Sequence, residues 1–207
     1  MNRPILMLTC FTFAIFICLN TYAVEDELAF EAEDFDVIQP PMVIMEDKEV
    51  SGGAYIMSPS GRAGWAEYEI EIPEETEYFM WGMVQEQDGV SDSFFITFDL
   101  LDRGEDDDLN VNTWDMDGPA VTWVWDAVSG RGMGGDPRVF ELTAGKHALR
   151  VWTREGNSYL DCIFMSTDQY AVPLLPSEFD GRERTATPPK LVNHAGKLTT
   201  VWGYIKK

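Results

Sequence analysis

Histidine and cysteine are the scarcest reactive residues in this chain. Its 207 residues hold two histidines, His147 and His194, and three cysteines, of which Cys10 and Cys18 lie in an apolar N-terminal run. Two imidazoles leave no material for a multi-histidine metal site and almost none for a histidine-based triad. No GxSxG or HExxH is present either. Positive charge is also short: 15 Lys and Arg stand against 36 Asp and Glu, for a formal net charge of −21. Without a basic stripe to release counterions, nucleic acid is excluded as a partner, and anionic lipid heads are repelled. Such acidity suits calcium, an uncharged ligand or plain solubility.

Long apolar runs are missing apart from Ile5 to Leu19. That run is too short to span a bilayer comfortably, which takes about 20 residues. It follows Asn2 and Arg3 and is closed by Thr21-Tyr22-Ala23, which offers small residues at the positions a signal peptidase needs. Residues 1–23 therefore read as a cleaved signal peptide, placing the mature chain outside the cytoplasm, secreted or at the cell surface, with no membrane span after cleavage. An uncleaved anchor is the alternative. Cys10 follows Thr9 and Cys18 follows Ile17, so neither has the small preceding residue that lipidation requires. Cleavage would leave Cys162 alone in an apolar stretch, a small buried hydrophobe with no disulfide partner. A bound metal ion is then one candidate source of stability.

What is abundant is alternating apolar and polar sequence. At 45% hydrophobic and 13% aromatic content the chain can build one core. Ser91 to Leu100 puts Phe94, Ile96, Phe98 and Leu100 on one face and Ser93, Phe95, Thr97 and Asp99 on the other, the pattern of a central strand. Glu77 to Gln85 is equally apolar, and Gln87-Asp88-Gly89 between them predicts an antiparallel hairpin. Trp65 to Ile72 predicts a strand with Trp65, Glu67, Glu69 and Glu71 on a wet face. Further strands are predicted at Val139–Leu142, His147–Trp152 and Tyr159–Ser166, with His147 a satisfied structural histidine. The fold class is all-β: a two-sheet antiparallel β-sandwich occupying residues 24–172, followed over 173–207 by a Pro-rich linker and basic tail. That tail either docks on the domain or serves as a handle for attachment.

Three features invite chemistry. Glu31 and Glu33, alternating on one predicted strand, are either a solvated edge or a pair of oxygen ligands for a hard cation. Asp161 stands among apolar neighbours and needs a partner. Trp114, Trp123 and Trp125 lie near Asn110, Asn112, Asp115 and Asp117, either as core or as flat apolar platforms with hydrogen-bonding rims, which suit sugars. The Asp102–Asp108 run has EF-hand composition without its spacing, and reads as a solvated loop. The glycine run at 130–135 lacks the context of a phosphate cradle.

In order and spacing, Phe30-Glu31-Ala-Glu33-Asp34, Ser51-Gly52-Gly53-Ala-Tyr55, Tyr68-Glu-Ile-Glu-Ile-Pro73, Asp92 to Asp99, Leu142-Thr-Ala-Gly-Lys-His147 and Leu160-Asp161-Cys-Ile163 resemble the carbohydrate-binding modules of families 6 and 35. The resemblance implies a galactose-binding-like jelly roll with a structural calcium near the first and last strands, mapping onto Glu31, Glu33 and Asp161 with a backbone carbonyl from Ser51 to Gly53. It also implies a loop sugar site that maps onto Tyr55, Trp123 or Trp125, and Asn157. The family's ligand Asn tends to sit immediately before the Leu-Asp pair, where this chain has Tyr159. The implied function is an exported, non-catalytic module binding a polysaccharide or other glycan. The alternative is a structural or adhesive cell-surface module that binds protein and has lost the sugar site. A glycan-active enzyme is the weakest class, since nothing singles out one acid in an apolar cleft.

Overall fold

The structure is a computed structural model that describes residues 27–88, 91–100, 112–116, 120–130 and 136–178. The signal segment, the Asp102–Asp108 run, Asn110, Asp117 and the basic tail lie outside these. Among the described residues no helix is long and apolar enough to cross a membrane.

Among the described residues twelve strands form two antiparallel sheets. The first contains β1 (Glu27–Glu31), β3 (Val43–Glu46), β4 (Ala54–Met57), β6 (Thr76–Glu86), β9 (Val124–Ala127), β10 (Phe140–Leu142) and β12 (Ser158–Ser166). The second runs β2 (Val37–Gln39), β5 (Trp65–Ile72), β11 (Gly145–Thr153), β7 (Ser93–Phe98) and β8 (Thr113–Asp115). In the first sheet β12 and β6 pair along nearly their whole lengths. β1 and β4 share the far edge of β12, while β9 and β10 share that of β6.

The expected hairpin between Glu77–Gln85 and Ser91–Leu100 does not form. β6 pairs with β12, β9 and β10, whereas β7 pairs with β11 and β8, so the 87–92 connection crosses from one sheet to the other. Alternation fixes which face of a strand is apolar but not which strand it pairs with. Placed in opposite sheets, Tyr78, Met80 and Val84 of β6 meet Phe94 and Ile96 of β7 across one core, which a hairpin in a single sheet would not achieve.

That core also buries Tyr68, Ile70, Leu149, Val151 and Leu160, and the wet and dry faces of β5 are as predicted. Each large side chain removed from water contributes about 1.5–3 kcal/mol. Trp114 belongs to this core: it is fully buried and its Nε1 donates to Asp126 Oδ2 at 2.7 Å. Gly82 makes room for it, since a Cβ there would run into the indole. A smaller cluster of Ala29, Phe79, Trp81 and Phe164 lies on the outer face of the first sheet, packed by Trp125, Ala171 and Leu174.

His147 is the satisfied histidine expected. Its Nδ1 lies 2.6 Å from Asp99 Oδ2 and its Nε2 lies 2.8 Å from Thr143 O. With acceptors on both nitrogens the ring favours its doubly protonated form, and although burial opposes this, the contacts with Thr143 and Asp99 raise its pKa overall.

Candidate functional site

Three loci contain the candidate residues. At the first, β1 ends at Glu31, and Glu33 lies in the following turn, where Asp34 N donates to Glu31 O at 3.2 Å. The two glutamates were expected to share a strand face; the turn brings them together instead. Asp161 arrives from β12, where a register shift between Leu160 and Cys162 interrupts the pairing with β6. Such a bulge aims a side chain where regular alternation would not. The Ser51–Gly53 loop closes the group. Ser51 Oγ donates to Glu31 Oε1 at 2.8 Å, and Ser51 N donates to Asp161 Oδ2 at 3.3 Å. Gly52 has φ +63°, and a Cβ there would collide with Glu33 Oε1, so this position requires glycine twice over.

The three carboxylates are under-compensated. Glu33 Oε2 and Asp161 Oδ1 are buried without hydrogen-bond partners. Burial, reinforced by the neighbouring acids, pushes Glu33 and Asp161 each up to about 7. Cys162 Sγ lies 3.2 Å from Glu31 Oε2, and burial raises its pKa, keeping it a thiol donor. Ligand atoms of Glu31, Asp161 and Cys162 fall within 4.8 Å of one another. Orphaned hard oxygens in a glycine-lined cradle fit a calcium ion. Glu31, Glu33 and Asp161 are the residues that would hold it. The thiol donor and the Ser51 hydroxyl were not read from the sequence, which offered from this loop only a backbone carbonyl.

The second locus is aromatic. Tyr55 on β4, Tyr159 on β12 and Trp123 just before β9 form a triangle with ring centroids 5.3 Å (Tyr55 to Trp123), 5.3 Å (Tyr55 to Tyr159) and 6.5 Å (Trp123 to Tyr159) apart. All three are half-buried. Their alternation turns them away from the core-facing Ile56 and Leu160. Gln85 of β6 pairs with Tyr159, and its Nε2 donates to Val121 O at 3.0 Å, tying the strand to the segment that carries Trp123. Gln85 was missed because a lone outward glutamine in a strand carries no signal until its neighbours are known.

The structure does not bring Trp125 into this group. Trp125 packs on Phe164, 6.3 Å between centroids, at the edge of the smaller hydrophobic cluster. Asn157 occupies the turn before β12 at φ +65°, a conformation asparagine tolerates, with its N–H donating to Ser58 O at 2.8 Å. Its side-chain amide has no hydrogen bond among the described residues.

The third locus, at the β6 to β7 crossover, was not singled out from the sequence. Burial, followed by the hydrogen bond and charge of Glu155, raises Asp92 to about 6, with smaller contributions from Asp115 and Glu86. Glu155 is lowered: burial opposes this, but hydrogen bonds from Asp92 and Ser93 and the charge of Arg154 outweigh it.

No protein-family model matches the sequence, and none of the curated proteins does. Among solved structures, the chain matches an exo-β-1,3-galactanase from Phanerochaete chrysosporium, solved with galactose, at TM-score 0.50 and 16% identity. The match covers 70% of this chain and only 30% of the galactanase. The likeness is one of fold, a two-sheet antiparallel β-sandwich, and carbohydrate-binding modules are also among the structures the chain is similar to. Two such modules match over nearly their whole length. One is a family 35 module from Clostridium thermocellum, with TM-score 0.48, 16% identity, and coverage of 67% of this chain and 96% of that one. The other is a family 6 module from Cellvibrio mixtus lichenase 5A in complex with cellotriose, with TM-score 0.49, 18% identity, and coverage of 68% and 97%.

Proposed function

We propose that this module-type domain is an exported, non-catalytic carbohydrate-binding module that holds a neutral or uronic-acid glycan against Tyr55, Trp123 and Tyr159. The observation that carries the reading is the convergence of those three rings, from three separate segments, into one half-exposed patch. Sugar rings present apolar C–H faces to such surfaces, and hydroxyl edges to amides such as those of Gln85 and Asn157. Tyr159 replaces the amide expected before Leu160-Asp161, so stacking takes a larger share of the binding than a side-chain hydrogen bond at that position. Two of the three rings sit on strands, and the platform therefore lies more on a sheet face than in loops.

A calcium ion at Glu31, Glu33 and Asp161 supports the scaffold in this reading. When bound, it supplies positive charge to three crowded carboxylates and satisfies the two buried oxygens that lack partners. Export rests on the signal-like character of residues 1–23.

The test is a glycan array probed with the protein from Val24 onward in calcium buffer, alongside Trp123→Ala and Tyr159→Ala. Binding by the unmodified protein that disappears in both variants supports the platform. Silence across the array would shift the function to the alternative of a cell-surface module that binds protein.

A further inference from the structure

β3 is the outer strand of the first sheet, and among the described residues it pairs with β4 alone. Val43, Ile44 and Met45 are all exposed there, in a strand whose single charge is Glu46. Such an edge is a template for another strand, and proteins ordinarily blunt it with charge, proline or a covering segment. Ile44 is the informative residue. It pairs with Ile56, which belongs to the main core and is fully buried, so Ile44 points to the core side of the sheet and yet is 47% exposed. The core layer is open at this margin. The backbone is open too. Asp47 N donates to Gly53 O at 3.0 Å, which continues the ladder of β3 and β4 by one pair. Bonded pairs alternate along an antiparallel ladder, so Val43 and Met45 bond to β4, and the N–H and C=O groups of Ile44 and Glu46 point away from it.

We propose that the segment Leu198 to Ile205 of the same chain docks on β3 as an additional edge strand. Its sequence, Leu-Thr-Thr-Val-Trp-Gly-Tyr-Ile, is rich in the β-branched and aromatic residues that suit a strand. Alternation puts Thr199, Val201 and Ile205 on one face and Thr200, Trp202 and Tyr204 on the other. The first offers a β-branched side to Ile44, and the second an aromatic side to Met45, which shares a face with Tyr55. Charge selects this occupant over a second copy. β3 runs into Glu46, Asp47 and Glu49, and a copy of the same edge would set those acids against their like in a chain of net charge −21. The tail has the opposite sign: from Arg184 to Lys207 it carries five Lys and Arg and no acid, with Lys197, Lys206 and Lys207 flanking the strand-forming stretch. Its reach is ample. The 19 residues from 179 to 197 extend to about 60 Å, against a radius of gyration of about 15 Å for a domain of this size.

Hydrogen exchange on the protein from Val24 onward, compared with a chain ended after Gly196, tests this without sugar or metal. The expected result is that the Ile44 and Glu46 amides are protected in the longer chain and lose that protection in the shorter one, while the amides of β6 and β12 keep theirs in both. Val201→Pro combined with Trp202→Pro, in the full tail, should also remove the protection. Proline cannot donate to a ladder, and the pair deletes a donor whichever of the two residues faces β3, with every charge left in place. Fast exchange at Ile44 and Glu46 in the longer chain overturns the proposal, as does protection that survives the truncation or the two prolines. Protection that disappears on dilution would assign the edge to a second copy and overturns it as well.

Discussion

Tyr55 and Tyr159 lie on adjacent strands with ring centroids 5.3 Å apart and planes inclined at 49°, and Trp123 leans on both. Because the rings lie near the surface and outside the main core, they can be truncated without emptying it. Tyr159→Ala and Trp123→Ala should each weaken retention in a polysaccharide-containing native gel by about tenfold, the equivalent of ~1.4 kcal/mol. Their melting temperatures should stay within a few degrees of the parent protein. Unchanged mobility for both would remove the platform from the binding site.

The Glu31, Glu33 and Asp161 group sets a pH signature for the calcium-free protein. Glu33 and Asp161 hold protons up to about 7 in the folded state, well above their ordinary values of 4.5 and 3.8. Over that interval the folded state binds more protons than the unfolded chain, so stability falls as pH rises and levels off above about 7. Excess calcium should abolish the fall, since an ion at 100 times its dissociation constant adds about 2.7 kcal/mol. Melting curves from pH 5 to 8, with chelator and with calcium, would show this as a gap that widens with pH. A constant gap would contradict it.

His147 has the same sign. Its folded pKa lies above the ordinary 6.5, so its contribution is complete below that value and is lost as pH climbs through the raised one. Asp99 is half exposed, which discounts the pair to about 1 kcal/mol, or 2–4 °C in melting temperature. Asp99→Asn should show that deficit at pH 6 and a smaller one at pH 9. An equal deficit at both would mean the histidine is not charged in the folded protein.

Trp114→Phe should cost about 2–3 kcal/mol, because it removes the indole donor to buried Asp126 and leaves space above Gly82. Chemical denaturation would register this as a lower midpoint, and sugar binding should be unaffected at saturating calcium. A loss of binding equal to that of Trp123→Ala would place Trp114 in the site.

How much of this was legible beforehand differs by feature. The faces of β5 and β7 follow from alternation alone, and Asp161 advertised its need for a partner by standing among apolar residues. The partners of β6 and β7 were not legible, because pairing depends on which distant strand completes the core. Glu33 was assigned to the right neighbourhood for the wrong local reason, a strand instead of a turn. Trp114 and Trp123 are chemically identical in sequence; what separates them is Gly82, which leaves room for one indole inside, and the position of Trp123 beyond the β9 ladder. Gln85 gave no signal because its importance comes entirely from what lies across from it.

β12 pairs with β1, β4 and β6, yet it is the last of the described strands in chain order. Glu31 and Cys162, partners in one ladder, are 131 residues apart. A nascent chain therefore carries β1 and β6 through most of its synthesis without the strand that joins them. The first sheet can assemble only after residue 166 has left the ribosome, and pairing at such separation makes folding slow. A fragment that stops short of Ser158 has no smaller native version of this sheet to settle into.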